Sequence, residues 1–315
     1  MFDLRAIKIW YMNSSLLSLF VLLFFACGSD HPQKKEEFPD FDFRYDLEAP
    51  DQTFKMPDEL DEISGLGLTP DGKYLIAVQD EDGTIFYLNK DDGEVERDLD
   101  FWKDGDYEGV EVVGNDIFVI KSSGTLYRVR QPGEGHLKVD KFNQFLSGKN
   151  DVEGLGYEAA SGRLLLSCKG VAGEEEELQF KKAVYAFNLR TMQIDSTPEL
   201  LISLEDVQAY LGTSPAIRKL EKLMDYFSLD KSSFVFSPSG IAVHPLTGNY
   251  YITSSVGKLL MVVDPGGQIL HIEKLEKEVH PQPEGIGFDT DGTMYIANEG
   301  KGGKGQIHRF RYRGT

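Results

Sequence analysis

Cysteine is almost missing from this chain: Cys27 and Cys168 are its only two in 315 residues. At most one intramolecular disulfide can form, which excludes a disulfide-stapled scaffold. Positive charge is also scarce, with 33 Lys and Arg against 52 Asp and Glu and a net charge of −19. Nucleic-acid phosphates need a basic surface, so that class of partner is excluded, whereas an acidic surface suits solubility and cations. No apolar run reaches the roughly 20 residues of a comfortable membrane-spanning helix. His31, His136, His244, His271, His280 and His308 show no His-x-x-x-His or Glu-paired zinc spacing, although His244 and His280 lie next to prolines in loops and are placed to edge a pocket. No Gly-x-Ser-x-Gly elbow, phosphate loop or dinucleotide fingerprint occurs, so the chemistry those motifs carry is not expected. What remains is ordinary globular composition, 41% hydrophobic and 27% charged.

The first residues read as an address. Arg5 and Lys8 precede an apolar run from Leu16 to Ala26, followed by Cys27-Gly28-Ser29-Asp30. A basic start, a short apolar stretch and a small residue before the cut form a secretory signal. A cysteine directly after that small residue resembles a bacterial lipoprotein signal, with Phe24 where leucine is usual. The resemblance implies cleavage before Cys27, acylation of its thiol, and attachment to a membrane of the cell envelope, the outer membrane being expected. The alternative is an uncleaved anchor with a chance cysteine. Residues 28–43 are polar, charged and short of aliphatics, the composition of a flexible tether. The expected organisation is therefore a signal over 1–26, a tether over 27–43 and a globular body over 44–315. Cys168 ends the apolar Leu164-Leu165-Leu166-Ser167-Cys168 and is read as a small buried hydrophobe.

The body repeats one phrase five times: Ser64-Gly65-Leu66-Gly67-Leu68, Glu108-Gly109-Val110-Glu111-Val112, Glu153-Gly154-Leu155-Gly156-Tyr157, Ser239-Gly240-Ile241-Ala242-Val243 and Glu284-Gly285-Ile286-Gly287-Phe288. Successive first glycines are 44, 45, 86 and 45 residues apart. A turn follows four of the five phrases, with Gly114-Asn115-Asp116 in its place after the second, then come two runs rich in β-branched and aromatic residues, such as Tyr74-Leu75-Ile76-Ala77-Val78 and Thr84-Ile85-Phe86-Tyr87-Leu88. A period in the forties built from hairpin meanders predicts propeller blades of four strands each. The phrase suits the innermost strand, where blades crowd at the axis and small residues are needed. Glu111 breaks the small-residue rule in the second copy.

The gap of 86 allows six blades as an alternative. Residues 204–230 argue for five: Ala216, Ile217, Leu220, Leu223, Met224 and Phe227 recur at helical spacing among charges, which predicts an amphipathic helix inserted in a blade. Residues 173–182, with Glu174-Glu175-Glu176-Glu177, read as a second, solvated insertion. The fold expected is an all-β, five-bladed β-propeller with a helical insertion near residues 204–230. Either Arg44-Tyr45-Asp46-Leu47 or Gln52-Thr53-Phe54-Lys55 is expected to complete the fifth blade and close the ring without an exposed edge.

These phrases, the tyrosine-rich third strands and the closing Glu284-Gly285-Ile286-Gly287-Phe288 through Ala297-Asn298-Glu299-Gly300 resemble the SdiA-regulated domain family over about residues 50–312. The resemblance implies a five-bladed propeller distantly related to NHL-repeat propellers, with which calcium binding is associated and for which no enzymatic activity is established.

Glu108, Glu153 and Glu284 each precede the glycine of an innermost strand, so a ring brings them to one mouth of the channel. Carboxylates converging there raise one another's pKa unless a cation sits among them, and calcium takes six to eight oxygen ligands. Ser64 and Ser239 occupy the same position in the other two blades and add hydroxyls; Glu62 and Glu111 are second-line candidates. One difficulty is parity: each Glu shares a strand face with the inter-blade aliphatics, so it reaches the channel only from the strand's first residue or the loop before it. The competing reading is that these glutamates cap turns or pair with lysines. Asp80, Lys121, Lys169, Ser255 and Glu299 form a second ring at the ends of the second strands, read as salt-bridged lining rather than a ligand pocket. Asp80-Glu81-Asp82-Gly83 and Asp289-Thr290-Asp291-Gly292 lack the twelfth-position glutamate of an EF-hand loop and read as hairpin turns. Gly300-Lys301-Gly302-Gly303-Lys304-Gly305 reads as a flexible loop.

Three functions follow as expectations. The first is a lipid-anchored, calcium-binding envelope propeller serving as a ligand- or protein-binding or scaffold module. The alternative is a calcium-dependent hydrolase such as a lactonase, phosphoesterase or phytase-like enzyme. For it, Ser239-Gly240-Ile241-Ala242-Val243 is similar to gluconolactonase-type propellers, with Ser239 where an asparagine ligand is expected. The third is a metal-free partner-binding domain that uses the helix near residues 215–228.

Overall fold

A computed structural model describes residues 41–133, 136–173, 176–178, 180–213, 219–228 and 234–314. The signal, the tether up to residue 40 and Cys27 lie outside the described residues.

Five antiparallel sheets form in chain order. The first blade runs Ile63–Leu68, Tyr74–Gln79, Thr84–Asn89 and Val95–Asp100; the second Tyr107–Val113, Asp116–Lys121, Leu126–Gly133 and His136–Phe142. The third has Val152–Glu158, Arg163–Cys168 and Lys181–Asn188, and its outer edge is split: Gln193–Ile194 and Leu200–Ser203 both pair with Lys181–Asn188. The fourth runs Ser237–Val243, Tyr250–Val256, Leu259–Val263 and Ile269–Lys274. The fifth has Pro283–Phe288, Met294–Asn298 and Gln306–Phe310, and its outer strand is Gln52–Lys55 from the other end of the chain. Of the two expected closing segments, Gln52–Lys55 is the strand. Residues 44–47 form none and instead bury Tyr45 and Leu47 between the fourth and fifth blades.

The core is divided accordingly into five apolar clusters, each joining two neighbouring blades. Each sheet therefore buries both faces, which explains the near-continuous apolar runs of the inner strands and the ring's dependence on closure.

The insertion in the long third repeat is helical, but it holds two helices rather than one. Leu204–Thr213 (α1) is followed by Leu220–Tyr226 (α2), which starts from Lys219 at φ +60°. Pro215 disfavours helix at the residue before it, and a left-handed residue cannot continue a right-handed turn. Ala216 and Ile217 lie outside the described residues. Leu204, Val207, Tyr210, Leu211, Leu223 and Phe227 pack into the cluster between the third and fourth blades, while Met224 is exposed. Among the described residues no helix is long and apolar enough to cross a membrane.

Candidate functional site

The five inner strands approach so closely that their first glycines are obligatory. A Cβ on Gly65 would lie 2.8 Å from Val110 N, on Gly109 2.8 Å from Leu155 Cβ, on Gly154 2.8 Å from Ile241 N, and on Gly285 2.7 Å from Leu66 N; on Gly240 it would collide with Glu284 O. Each glycine faces the next blade's inner strand, and the fifth returns to the first, so the repeat phrase encodes the ring contact itself.

The residue before each glycine is set apart by the backbone. In every blade the pairing of first and second strands slips there by one residue: Ile63 pairs with Gln79 but Gly65 with Val78, Tyr107 with Lys121 but Gly109 with Ile120, and Val152 with Cys168 but Gly154 with Ser167. The fourth and fifth blades shift at the same place. A β-bulge re-aims a side chain. It removes the parity difficulty for Glu108, Glu153 and Glu284 without moving the aliphatics that follow.

The three carboxyls then interact. Burial, foremost, and next the charge on Glu153 push Glu108 far above the usual carboxylate range, with Asp106 and Glu284 adding to it. Glu284 is likewise held well above, by burial and then by Glu153. Glu153 is raised by burial but pulled back by Lys169, whose Nζ donates to its Oε1 at 3.0 Å. Glu153 and Glu284 thus share the Lys169 ammonium, while Glu108 has only acids acting on it. Glu108, Glu153 and Ser239 line a cavity of about 10 Å³ among the inner glycines, room for about one water or ion.

Ser239 is buried and its Oγ donates to Pro283 O at 2.8 Å; Ser64, also buried, donates to Glu62 O at 3.4 Å. Both hydroxyls keep lone pairs. Of the second ring, Lys169 joins the throat through Glu153 and Ser255 bonds Glu284. Lys121 turns away, its Nζ 5.1 Å from the Tyr107 ring centroid. Asp80 is lifted to about 6 by burial and by Glu62, with Glu81 and Glu299 adding to it, and its Oδ1 is buried without a hydrogen-bond partner. Gln282 Nε2 donates to Glu299. Asp289–Gly292 forms a turn between strands, its Asp289 paired with Lys90 of the first blade. The donors at the throat are all oxygen, the set calcium prefers. As the side chains stand, no group of three or more His, Cys, Asp or Glu among the described residues is arranged to hold a metal ion.

The opposite mouth was not anticipated. Three residues beyond Glu108, about 10 Å along the strand, Glu111 enters a funnel of about 350 Å³ lined by all five blades, including Leu68, Tyr157, His244 and Phe288. Burial raises Glu111 to about 7, although the N–H groups of Val112 and Tyr157 donate to its two oxygens at 3.0 and 3.2 Å. Its substitution for a small residue was the one signal available. His244 is held neutral, its pKa pushed down to about 4 by burial. Its Nδ1 accepts from Leu246 and Thr247 N–H, which leaves the proton on Nε2 for Tyr45 Oη; that hydroxyl donates to Gly292 O. Cys168 is buried, and burial pushes its thiol up to about 12, so it is inert core.

The SdiA-regulated family model matches residues 42–169 and 192–301. The chain belongs to the SdiA-regulated family. Among curated proteins no sequence matches it. Among solved structures, the glutaminyl cyclase of Myxococcus xanthus is 10% identical over 84% of this chain and 95% of its own, with a TM-score of 0.53. A luciferin-regenerating enzyme is 11% identical over 84% and 95%, with a TM-score of 0.47, and a protein of unknown function from Bacteroides thetaiotaomicron is 13% identical over 78% and 55%, also at 0.47. At 10% identity the glutaminyl cyclase shares with this chain the propeller fold alone, and one fold can carry different chemistry.

Proposed function

We propose that this SdiA-regulated propeller is a cation-binding module of the bacterial envelope, tethered by an acylated Cys27, and that calcium is the ion its throat takes. The observation that carries the reading is the meeting of Glu108, Glu153 and Glu284, from three different blades, with Lys169 paired to Glu153 and acting on Glu284 but not on Glu108. Ionising all three without another positive charge is costly in a desolvated site. These glutamates, with Ser64 and Ser239, would hold the ion; it would supply the missing charge and tie the blades together. A partner or ligand is then recognised by a ring whose rigidity depends on the ion.

Binding only to the folded state at 100 times Kd contributes about 2.7 kcal/mol, a rise in melting temperature of about 5 °C for a body of this size. Chelator-treated protein should show that rise on adding calcium, and Glu153→Gln with Glu284→Gln should abolish it. A wild-type melting curve indifferent to calcium would remove the ion from this proposal. Separately, Cys27→Ser should shift the chain from the membrane fraction to the soluble one and end palmitate incorporation. Unchanged fractionation would remove the anchor.

A further inference from the structure

The funnel at the second mouth is a built cavity with one unexplained charge. Four blades place Gly67, Gly156, Ala242 and Gly287 at the equivalent position, and the second alone places a carboxylate, Glu111. Its two backbone donors use two of about four lone-pair sites. Among the described residues no lysine or arginine pairs with it.

The neighbouring polar groups are already committed. Glu158 receives Arg163 Nη2 at 2.7 Å together with the hydroxyls of Ser161 and Tyr250. Both ring nitrogens of His244 are used by backbone and Tyr45, and its fully buried ring is stacked on Tyr251 and edged by Phe288, so it offers the funnel no free donor. Phe288 and Tyr157 add aromatic surface, Pro245 and Leu68 aliphatic surface. At about 350 Å³ the space lies at the lower end of small-molecule pockets, which are mostly apolar with a few polar groups fixing orientation. One carboxylate in an apolar wall does not make a calcium site, which needs six to eight oxygens, and it repels anions.

We propose that this funnel binds a small organic cation: an ammonium group carried on an apolar, aliphatic or aromatic body. The ammonium meets the free lone pairs of Glu111, and the body fills the space between Phe288, Tyr157, Pro245 and Leu68, where the aromatic faces also favour a cation. The site is independent of the calcium reading, lying at the other end of the channel.

The test is calorimetric titration of the detergent-solubilised full chain at about pH 8, where a carboxyl titrating near 7 is ionised and an alkylamine still protonated. Phenethylamine is compared with its neutral counterpart 2-phenylethanol and with 3-phenylpropionate. The amine should bind at least about tenfold more tightly than the alcohol, and the propionate not at all. Glu111→Gln should reduce the amine to the affinity of the alcohol. Should that variant misfold, Ala160→Trp on the exposed rim, which leaves Glu111 in place, should abolish binding of amine and alcohol alike. Equal affinity for amine and alcohol, an amine preference that survives in folded Glu111→Gln, or no binding of either up to about 10 mM would each overturn the proposal.

Discussion

Replacing Glu111 by glutamine should remove one slope from the pH dependence of stability. In the folded chain this carboxyl titrates near 7 rather than 4.5, because burial outweighs the two backbone N–H groups that favour its ionised form. The folded state therefore keeps a proton that the unfolded chain releases, and stability falls as pH rises between about 4.5 and 7, by at most 1.36 kcal/mol per pH unit. Over that window the loss is about 3 kcal/mol. Glutamine has the same shape and no charge, but its single carbonyl serves only one of the two N–H donors, which costs about 1 kcal/mol at every pH. Below about pH 4.5 the wild type should be ahead by about 1 kcal/mol; above about pH 8 the variant should lead by about 2 kcal/mol. Urea denaturation with a chelator present, repeated across this range, measures both curves. The other raised acids, Glu108, Glu153, Glu284, Glu299 and Asp80, tilt the two alike, so the difference isolates Glu111. A difference that stays constant with pH would refute the assignment of a desolvated carboxyl there.

Two further outcomes follow from the packing. Gly154→Ala drives a Cβ to 2.8 Å from Ile241 N between the third and fourth blades and should cost about 3 kcal/mol or more as overpacking, whereas Gly212→Ala in α1, with open space around it, should gain about 0.5–1 kcal/mol; urea midpoints distinguish them, and equal effects would deny the ring contact. Arg163 joins Glu158 at 2.7 Å and Glu199 at 2.6 Å, so Arg163→Met strands a largely buried carboxylate that also bonds Tyr250 of the next blade and should cost about 2 kcal/mol after allowing for partial exposure. A loss below about 0.5 kcal/mol by the same measurement would show that solvent already screens the pair.

Much of the architecture was legible because a propeller repeats its constraints. Crowding at the axis admits only small residues, so Gly65, Gly109, Gly154, Gly240 and Gly285 recur with the blade period, and that recurrence fixed the blade count and named the glutamates beside them. The insertion was legible as helical because Leu220, Leu223 and Phe227 share a face. Its division in two was less so, since apolar periodicity outweighed the signal of Pro215. The way the glutamates reach the channel was hidden: alternation alone put them on the inter-blade face, and the one-residue slip that frees them is a property of pairing with the second strand.

What the sequence by itself determined is the repeat, its period, the small residues at the hub and the acids next to them, since these answer to local sterics and alternation. Only the tertiary structure decided which charges meet. Lys169 lies beside Glu153 while Lys121 stacks on Tyr107, Glu111 faces the funnel at the opposite mouth, and Tyr45 reaches His244 across 199 residues of chain. Those pairings depend on closure of the ring, which brings remote segments to a common axis and removes the water that would otherwise screen them.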